Sequence, residues 1–360
     1  MAIVKFGEVA SRLNIHVDQA NTDLEYYIGG EHIESREFMI HSKAPIKGAT
    51  IGYQFQFGFE PGDILFMTKN PHLRKASMVD FRGLCSIATF VIRTNDPKLL
   101  LQEYLLIEMQ SDRFWNYLEE HKSGGVNYFI NWGTLSNYEF DLPPLHEQKI
   151  LADKLWAAYR LKESYKKLLA ATEEMVKSQF IEMFGTIDEP KVEVKKLIDV
   201  VLSSGQYGSN TSATDYQEGK PRYIRITDIN DDGSLNDDIK TAEVIEDKYR
   251  LIPGDIVFAR TGATIGKTYM HETGNAIYAG YLIKYQMNES KMKPAFMKAF
   301  THSKTYYNWV ANSQKVGAQP NISAAQYDNM PVLVPQIEKQ EEFLAICHQA
   351  DKSKYYYQIA

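Results

Sequence analysis

The sequence predicts a mixed α+β protein with two similar domains in tandem, separated by long α-helices that form an antiparallel coiled-coil-like pair. Two observations predict this: a block of the first half recurs in the second half, and a long stretch without proline or glycine follows the first copy. The predicted boundaries are 1–142 for the first domain, 143–185 for the first long helix, 186–334 for the second domain and 335–360 for a shorter second helix.

The repeat is the strongest pattern in the chain. FEPGDILF at 59–66 recurs as LIPGDIVF at 251–258, and the offset of 192 residues then holds without a gap as far as PPLHEQ at 143–148 and PQIEKQ at 335–340. A period of this length is too long for a solenoid unit and suits a whole domain with its connector. The chain is therefore predicted to contain two copies of one module.

Within each copy, Pro-Gly-Asp followed by apolar residues indicates a turn that leads into a strand. Further short strands are predicted at 26–28, 88–93, 222–226 and 281–285. One helix is predicted at 98–120, with a counterpart at 294–312.

Residues 147–184 contain no proline or glycine and are predicted to form one helix. Apolar residues recur in it every seven positions, in two rows, and a lone helix would leave them in water. We therefore expect a helix interface. Its predicted members are Leu155, Leu161, Leu168, Leu169, Met175, Val176 and Met183 on the first helix, and Phe343 and Cys347 on the second.

Composition excludes several classes of protein. The chain is 44% hydrophobic, which excludes disorder, and no stretch is apolar enough for a signal peptide or a membrane span. With only Cys85 and Cys347, no disulfide framework is expected, and the predicted location is the cytoplasm.

The net charge of -6 is unfavourable for binding DNA, but residues 228–247 hold eight acids and one base, so the other 340 residues sum to +1. Locally basic surfaces therefore remain possible.

The segment Leu142-Pro143-Pro144-Leu145-His146-Glu147-Gln148, with the long helix behind it, resembles the specificity subunits of type I restriction-modification systems. The Pro-Gly-Asp turn and the run RTGATIGK at 260–267 are also similar to that family, and the resemblance covers nearly the whole chain. It implies two target-recognition domains, each reading one half of a bipartite, asymmetric DNA site. It also implies that the helices set the half-site spacing and that the chain is not itself an enzyme.

The resemblance implies partners as well. They are double-stranded DNA, two modification (methyltransferase) subunits that dock largely on the helices, and restriction/motor subunits, with no membrane involved. S-adenosylmethionine, ATP and Mg are expected on those partner subunits, and no cofactor is expected in this chain.

Candidate DNA contacts lie in equivalent loops of the two copies, where Arg, Lys, Asn and Gln can reach bases or phosphates. For each of them a solvated loop is an equal alternative. The candidates are Lys69, Asn70, His72, Arg74, Lys75 and Asn127 in the first domain, and Gln206, Tyr207, Arg260, Thr261, Lys267, Lys315, Gln319 and Asn321 in the second.

Residues 262–268, GATIGKT, resemble a phosphate-binding loop, but a Walker A loop has four residues between its glycines and this segment has three. The histidines and cysteines lack metal-ligand spacing, so no metal site and no catalytic residue is predicted. Two alternatives to DNA recognition stay open. One is a repeat-built scaffold that binds proteins only, and the other is a nucleotide-binding enzyme at 262–268.

Overall fold

The computed structural model describes residues 2–313 and 320–359, without the side chains of 20 and 351–359. The chain divides into two compact units, Met1–Ser164 and Tyr165–Ala360. The division falls inside one long helix, Leu145–Phe184.

The first unit contains two four-stranded sheets. Its strands are β1 (Ala2–Lys5), β2 (Ala10–Leu13), β3 (Tyr26–Ile28), β4 (Ala44–Pro45), β5 (Phe55–Phe59), β6 (Ile64–Met67), β7 (Ala76–Met78), β8 (Gly83–Ser86), β9 (Thr89–Thr94) and β10 (Glu139–Leu142). One sheet has the order β2-β9-β6-β7 and is antiparallel throughout. The other has the order β4-β3-β8-β5 with β3 and β8 parallel, and β1 pairs with β10.

The first unit also contains helices, the last of which extends into the second unit. They are α1 (Phe6–Val9), α2 (Gln102–Met109), α3 (Asp112–His121), α4 (Trp132–Ser136) and α5 (Leu145–Phe184), with 3₁₀ turns at Gln19–Asn21 and Pro71–Leu73. The single helix predicted at 98–120 is thus two helices. The break occurs because the Ser111 side chain accepts a hydrogen bond from the Phe114 amide at 3.1 Å and begins a new helix there.

The second unit has a similar series of elements, but its described residues form one four-stranded sheet and three two-stranded sheets. Its strands are β11 (Glu193–Lys196), β12 (Gln206–Tyr207), β13 (Ala213–Asp215), β14 (Arg222–Ile224), β15 (Lys240–Ala242), β16 (Asp255–Ala259), β17 (Thr268–Met270), β18 (Ala276–Tyr278), β19 (Leu282–Gln286) and β20 (Pro331–Val334). Its helices are α6 (Pro294–Thr301), α7 (Lys304–Ser313), α8 (Ala324–Asp328) and α9 (Ile337–Ile359), with 3₁₀ turns at Leu197–Val200, Ile226–Asp228, Asp247–Tyr249 and Gly262–Thr264.

The sheet β12-β19-β16-β17 of the second unit corresponds to β2-β9-β6-β7 of the first. The helices α6, α7 and α8, the strand β20 and the start of α9 each begin 192 residues after their counterparts α2, α3, α4, β10 and α5. The offset that the sequence shows is therefore also the offset between equivalent elements of the two units.

One central strand in each unit contributes side chains to two hydrophobic clusters, one on each side of its sheet. It can do so because alternate side chains of a strand point in opposite directions. Ile64 and Phe66 of β6 pack in the cluster formed with the helices, whereas Leu65 packs in the cluster under the second sheet. In the second unit, Phe258 of β16 packs with the helices and Val257 with the opposite cluster.

The entry to the first long helix is fixed by a buried glutamine. Gln148 has no exposed surface, and its side-chain nitrogen donates to the carbonyls of Pro143 and Leu99, both at 2.9 Å. Its side-chain oxygen accepts a hydrogen bond from the Leu101 amide at 3.0 Å. A buried amide with all these partners joins strand, helix α2 and helix α5 rigidly.

Gln340 makes the same hydrogen bonds in the second unit. It donates to the carbonyls of Pro335 and Lys291 at 2.8 and 2.9 Å, and it accepts from the Lys293 amide at 2.9 Å. Each of these partners lies 192 residues after its counterpart.

The long helix has the predicted extent, but its two apolar rows differ in burial. Leu169 is half-buried, and Val176, Met183 and Cys347 pack against the core of the second unit, in which Phe343 is buried. Phe180 and Phe184, which the sequence pattern did not single out, are buried against Phe343 with ring centroids 5.4 and 5.6 Å away.

The other predicted row is exposed. Leu161, Leu168 and Met175 each show more than half of their surface to solvent, and Leu155 is also exposed. This corrects the prediction that they are buried in a helix interface. The reason is the geometry of the helix. The row of Leu161, Leu168 and Met175 is offset by one residue, or about 100° around the helix axis, from the row of Leu169 and Val176. The two phenylalanines extend the second row and direct that face to the core.

Candidate nucleic-acid interface

Two loops of the first unit that hold predicted DNA contacts lie side by side. They are 68–75, which follows β6, and 122–131, between α3 and α4; we call them the first loop pair. The carbonyl of Thr68 accepts a hydrogen bond from the Ile130 amide at 2.8 Å, and the Asn70 amide donates to the Tyr128 carbonyl at 3.0 Å. Lys69 therefore lies opposite Phe129 in a short antiparallel bridge.

The second unit forms the same pairing between 260–267 and 320–322, the second loop pair. The Arg260 carbonyl accepts from the Ile322 amide at 2.9 Å, and the Gly262 amide donates to the Pro320 carbonyl at 3.4 Å. Thr261 lies opposite Asn321. Each residue number is 192 higher than in the first loop pair, so the two pairs are equivalent in structure as well as in sequence.

The first loop pair exposes four of its six predicted contacts, namely Lys69, Asn70, His72 and Asn127. Lys69 has no ion-pair partner among the residues that the structure describes. The other two predicted contacts are used within the protein: Arg74 forms an ion pair with Asp112, and the Lys75 ammonium donates to the Gly30 carbonyl at 2.6 Å.

Asp112 holds two arginines next to the first loop pair. Besides Arg74 it binds Arg36 at 3.2 Å, and these guanidinium groups, Arg74 foremost, lower the pKa of the Asp112 carboxyl below its ordinary value. Asn70 and Arg74 both have left-handed backbone conformations, with φ of 55° and 49°. Non-glycine residues adopt this conformation only where the surroundings enforce it, so the loop has a well-defined shape.

In the second unit the predicted residues Arg260, Tyr207, Asn321 and Thr261 come together. The Arg260 Nε donates to the Asn321 side-chain oxygen at 3.2 Å, and its guanidinium carbon lies 4.8 Å from the centre of the Tyr207 ring. Thr261 donates to the Pro320 carbonyl at 3.3 Å. A guanidinium held by an amide and an aromatic face is pre-positioned for a ligand.

The remaining predictions for the second unit have different outcomes. Gln206 is exposed on β12, whereas the partly buried Lys267 forms an ion pair of 2.8 Å with the exposed Asp231. Lys315 and Gln319 lie outside the described residues.

The segment 262–268 does not have the structure of a phosphate-binding loop. A Walker A loop leads into a helix whose N-terminal amides hold the phosphates. Here a 3₁₀ turn, Gly262–Thr264, leads into the strand β17, and the Gly262 amide is already bonded to Pro320. The geometry therefore gives no support to the nucleotide-binding alternative.

The segments hydrogen-bonded around the first loop pair contain no acidic residue, although Asp112 borders them through Arg74. The Thr68 amide donates to the Ala88 carbonyl at 2.9 Å, and the Ile87 amide donates to the Gln54 carbonyl at 2.9 Å, so two further segments join the loops. The four segments 47–55, 68–75, 84–90 and 122–131 contain no Asp or Glu, although the chain has 46. We call this surface the first acid-free edge.

The second unit has the same feature. The Arg260 amide donates to the Tyr281 carbonyl at 3.1 Å, and the Ser209 amide donates to the Tyr278 carbonyl at 2.9 Å. The four segments 205–214, 256–271, 275–286 and 320–327 again contain no Asp or Glu. This second acid-free edge is bordered by Asp231, which pairs with Lys267, and by Asp328, which accepts a hydrogen bond from the Gly205 amide at 3.1 Å.

Sequence reasoning missed the exposed apolar residues of these edges, because it selected polar and charged types. Tyr53, Ile87 and Phe129 are 90%, 49% and 43% exposed on the first edge, and Tyr281 is 61% exposed on the second. The repeat could have identified Phe129, since its counterpart is Asn321, a residue that was predicted.

Within residues 2–313 and 320–359, no group of three or more His, Cys, Asp or Glu side chains is placed to hold a metal ion. In the same described part of the chain, no helix combines the length and the apolar character that a membrane span requires.

Comparison with known proteins shows which proteins the chain is similar to. Residues 189–355 match the family model described as the type I restriction modification DNA specificity domain. This part of the chain is similar to that family. The resemblance predicted from sequence is confirmed.

The chain is also similar to two curated proteins of Escherichia coli. It is 24% identical over 293 residues to the type I restriction enzyme EcoBI specificity subunit, with 69% of this chain and 62% of that protein covered. It is 21% identical over 285 residues to the EcoKI specificity subunit of strain K12, with 72% of this chain and 61% of that protein covered. The match thus spans about three fifths of the length of these relatives.

Among solved structures, the type I restriction-modification S subunit from M. genitalium has a TM-score of 0.59 with 13% identity, covering 99% of this chain and 91% of that one. This likeness concerns the fold. It extends over both units, including the first, which the family model does not match.

Proposed function

We propose that this chain is the DNA-recognition subunit of a type I restriction-modification complex. The observation that carries the proposal is the pair of acid-free edges, built from equivalent hydrogen-bonded loops at a constant offset of 192 residues. Phosphates repel carboxylates, so a chain of net charge -6 can approach a duplex closely only through such surfaces.

Each edge would bind one half of the target. Lys69 and Asn70 on the first edge, and Arg260 and Asn321 on the second, are types that contact phosphates and base edges. Because the two edges carry different side chains at equivalent positions, their half-sites would differ in sequence. The expected target is bipartite and asymmetric.

The long helices would set the distance between the half-sites and dock the modification subunits. Helix α5 has 40 residues, which at 1.5 Å per residue is about 60 Å. Its exposed row, Leu161, Leu168 and Met175, is an apolar surface of the kind that partner proteins cover.

The chain itself would carry out no chemistry. In this proposal methylation depends on S-adenosylmethionine held by two modification subunits, while ATP and Mg act on the restriction/motor subunits. The role of this chain is to place those subunits on a chosen DNA sequence.

The test is binding by the complex reconstituted with its modification subunits. Affinity is measured for duplexes that contain the modified site, found by sequencing methylated adenines, and for scrambled duplexes of equal length. We expect tighter binding to the site, and weaker binding after Lys69→Ala than after Lys98→Ala, which removes an exposed lysine outside the acid-free edges. Equal binding to both duplexes would instead favour a scaffold that binds proteins only.

A further inference from the structure

Three exposed apolar side chains follow one another along the first acid-free edge. The Gln54 carbonyl, next to Tyr53, accepts from the Ile87 amide at 2.9 Å; the adjacent Ala88 carbonyl accepts from the Thr68 amide at 2.9 Å. The Thr68 carbonyl in turn accepts from the Ile130 amide, next to Phe129. Neighbouring hydrogen-bonded segments lie about 5 Å apart, so Tyr53, Ile87 and Phe129 belong to one surface.

This surface combines apolar groups with positive charge. Lys69, directly opposite Phe129, is exposed, and the segments that form the edge hold no carboxylate. Clustered exposed apolar side chains indicate a binding surface, and the charge of this one selects a polyanion as its occupant. Under the proposed function that occupant is duplex DNA.

Duplex DNA offers one apolar group to side chains in its major groove, the 5-methyl group of thymine. Phenylalanine and small aliphatic side chains make this contact, whereas guanine and cytosine present only hydrogen-bonding groups there. An edge with an exposed isoleucine and an exposed phenylalanine therefore suits a half-site that contains thymine.

The second edge differs at the two equivalent positions. The counterpart of Ile87 is Ala279, which is buried, and the counterpart of Phe129 is Asn321, which is bonded to Arg260. The two edges share their backbone pairing, but the first presents two apolar side chains at these positions, whereas the second presents the amide of Asn321 and no exposed apolar side chain.

We propose that Ile87 and Phe129, flanked by Tyr53, contact a thymine methyl group in the half-site bound by the first unit. This inference rests on the proposed DNA recognition and names the base that one edge selects. The methyl contact would discriminate thymine from uracil, which has the same hydrogen-bonding groups.

The experiment is a uracil scan with the complex reconstituted from the full chain and its modification subunits. Each thymine of the recognised site is replaced in turn by uracil, and the dissociation constant is measured. We expect at least one position, in one half-site, at which uracil weakens binding about 4-fold, the effect of burying one methyl group.

Ile87→Ala and Phe129→Ala should bind the thymine and uracil duplexes equally at that position. Ile3→Ala is the matched control, because Ile3 is an exposed isoleucine of the first unit on β1, and it should keep the 4-fold effect. Phe129→Asn places the residue of the second edge at this position and is a second variant should the alanine variants fold poorly. It should also abolish the effect.

The outcomes separate the two proposals. A complex that prefers its site over scrambled DNA but shows no uracil effect in either half-site retains the proposed function and overturns the methyl contact. An effect that persists in Ile87→Ala and Phe129→Ala also overturns it. Equal binding of specific and scrambled duplexes overturns the proposed function itself.

Discussion

Gln148 and Leu101 are joined by a hydrogen bond of 3.0 Å, from the Leu101 amide to the side-chain oxygen of the buried glutamine. The equivalent bond between Gln340 and Lys293 measures 2.9 Å. The same joint thus connects each globular unit to its long helix, at sequence positions 192 residues apart.

Replacing Gln148 by alanine should lower the free energy of unfolding of the first unit by about 2 kcal/mol. The substitution leaves the Leu101 amide and two carbonyls without their partners in a buried site. Chemical denaturation measures the change. Lys149→Ala, which alters the exposed neighbour, should cost much less, and equal losses for the two variants would show that the buried hydrogen bonds are not the cause.

Lys69→Ala should weaken binding to specific and scrambled duplexes alike, because an exposed lysine contacts phosphates rather than bases. The slope of log affinity against log salt concentration should fall by about 1, the change expected for one lost phosphate contact. Binding titrations over a series of salt concentrations give this slope. An unchanged slope would remove Lys69 from the interface.

Arg74→Ala should act through the shape of its loop, since its guanidinium is paired with Asp112. Asp112→Ala should therefore weaken DNA binding as well, although it removes a negative charge. The double variant should bind no more weakly than either single variant, and a double-mutant cycle measures this coupling. Tighter binding by Asp112→Ala would mean that Arg74, once released, contacts DNA directly.

Cys85 should resist alkylation in the folded protein. Burial, assisted by the charge of Asp63, raises the pKa of its thiol to about 12, so little thiolate forms at mildly alkaline pH. Iodoacetamide labelling of Cys347→Ser, followed by mass spectrometry, should show no adduct until guanidinium chloride is added. Rapid labelling of the native chain would show that the strand β8 opens.

The same shift sets a pH dependence of stability. The unfolded thiol ionises at its ordinary pKa of 9.0, whereas the folded one stays neutral to about 12. The free energy of unfolding should therefore decrease as pH rises through this interval, and Cys85→Ala should lack that component. Parallel decreases in the two proteins would assign the loss to other groups.

Deleting seven residues between Leu161 and Met175 should shorten the distance between the half-sites and leave both half-sites recognisable. Seven residues correspond to about 10 Å of helix, or about three base pairs, and nearly preserve the rotational position of the apolar rows. Sequencing of modified adenines would show the new spacing. An unchanged spacing would contradict the role of the helix as a spacer.

The sequence predicted those parts of the fold that depend on local pattern. The repeat was predicted because the Pro-Gly-Asp turn and the PPLHEQ segment recur at a fixed offset, and the long helix because residues 147–184 contain no proline or glycine. The break between α2 and α3 at Ser111 was missed. A serine N-cap inside a stretch rich in apolar residues does not interrupt the sequence pattern that predicts a helix. The exposed row of Leu161 was misassigned because Phe180 and Phe184, farther along the helix, determine which face is buried.

For the candidate site, the repeat predicted only that Lys69, Asn127, Arg260 and Asn321 lie in equivalent loops of the two copies; the hydrogen bonds that pair these loops are seen in the structure. The repeat alone did not predict that pairing. It could not show that Arg74, Lys75 and Lys267 are held by the protein. Their partners Asp112, Gly30 and Asp231 lie more than thirty residues away in sequence, so only the folded chain brings them together.

The most direct measurement is the sequencing of modified adenines in DNA from cells that carry the complete system. The account predicts one bipartite motif with two different half-sites, separated by a fixed number of unspecified base pairs. Exchange of residues 69–127 for those of another family member should change one half-site only. A single contiguous motif, or a change in both half-sites, would contradict the assignment of one half-site to each unit.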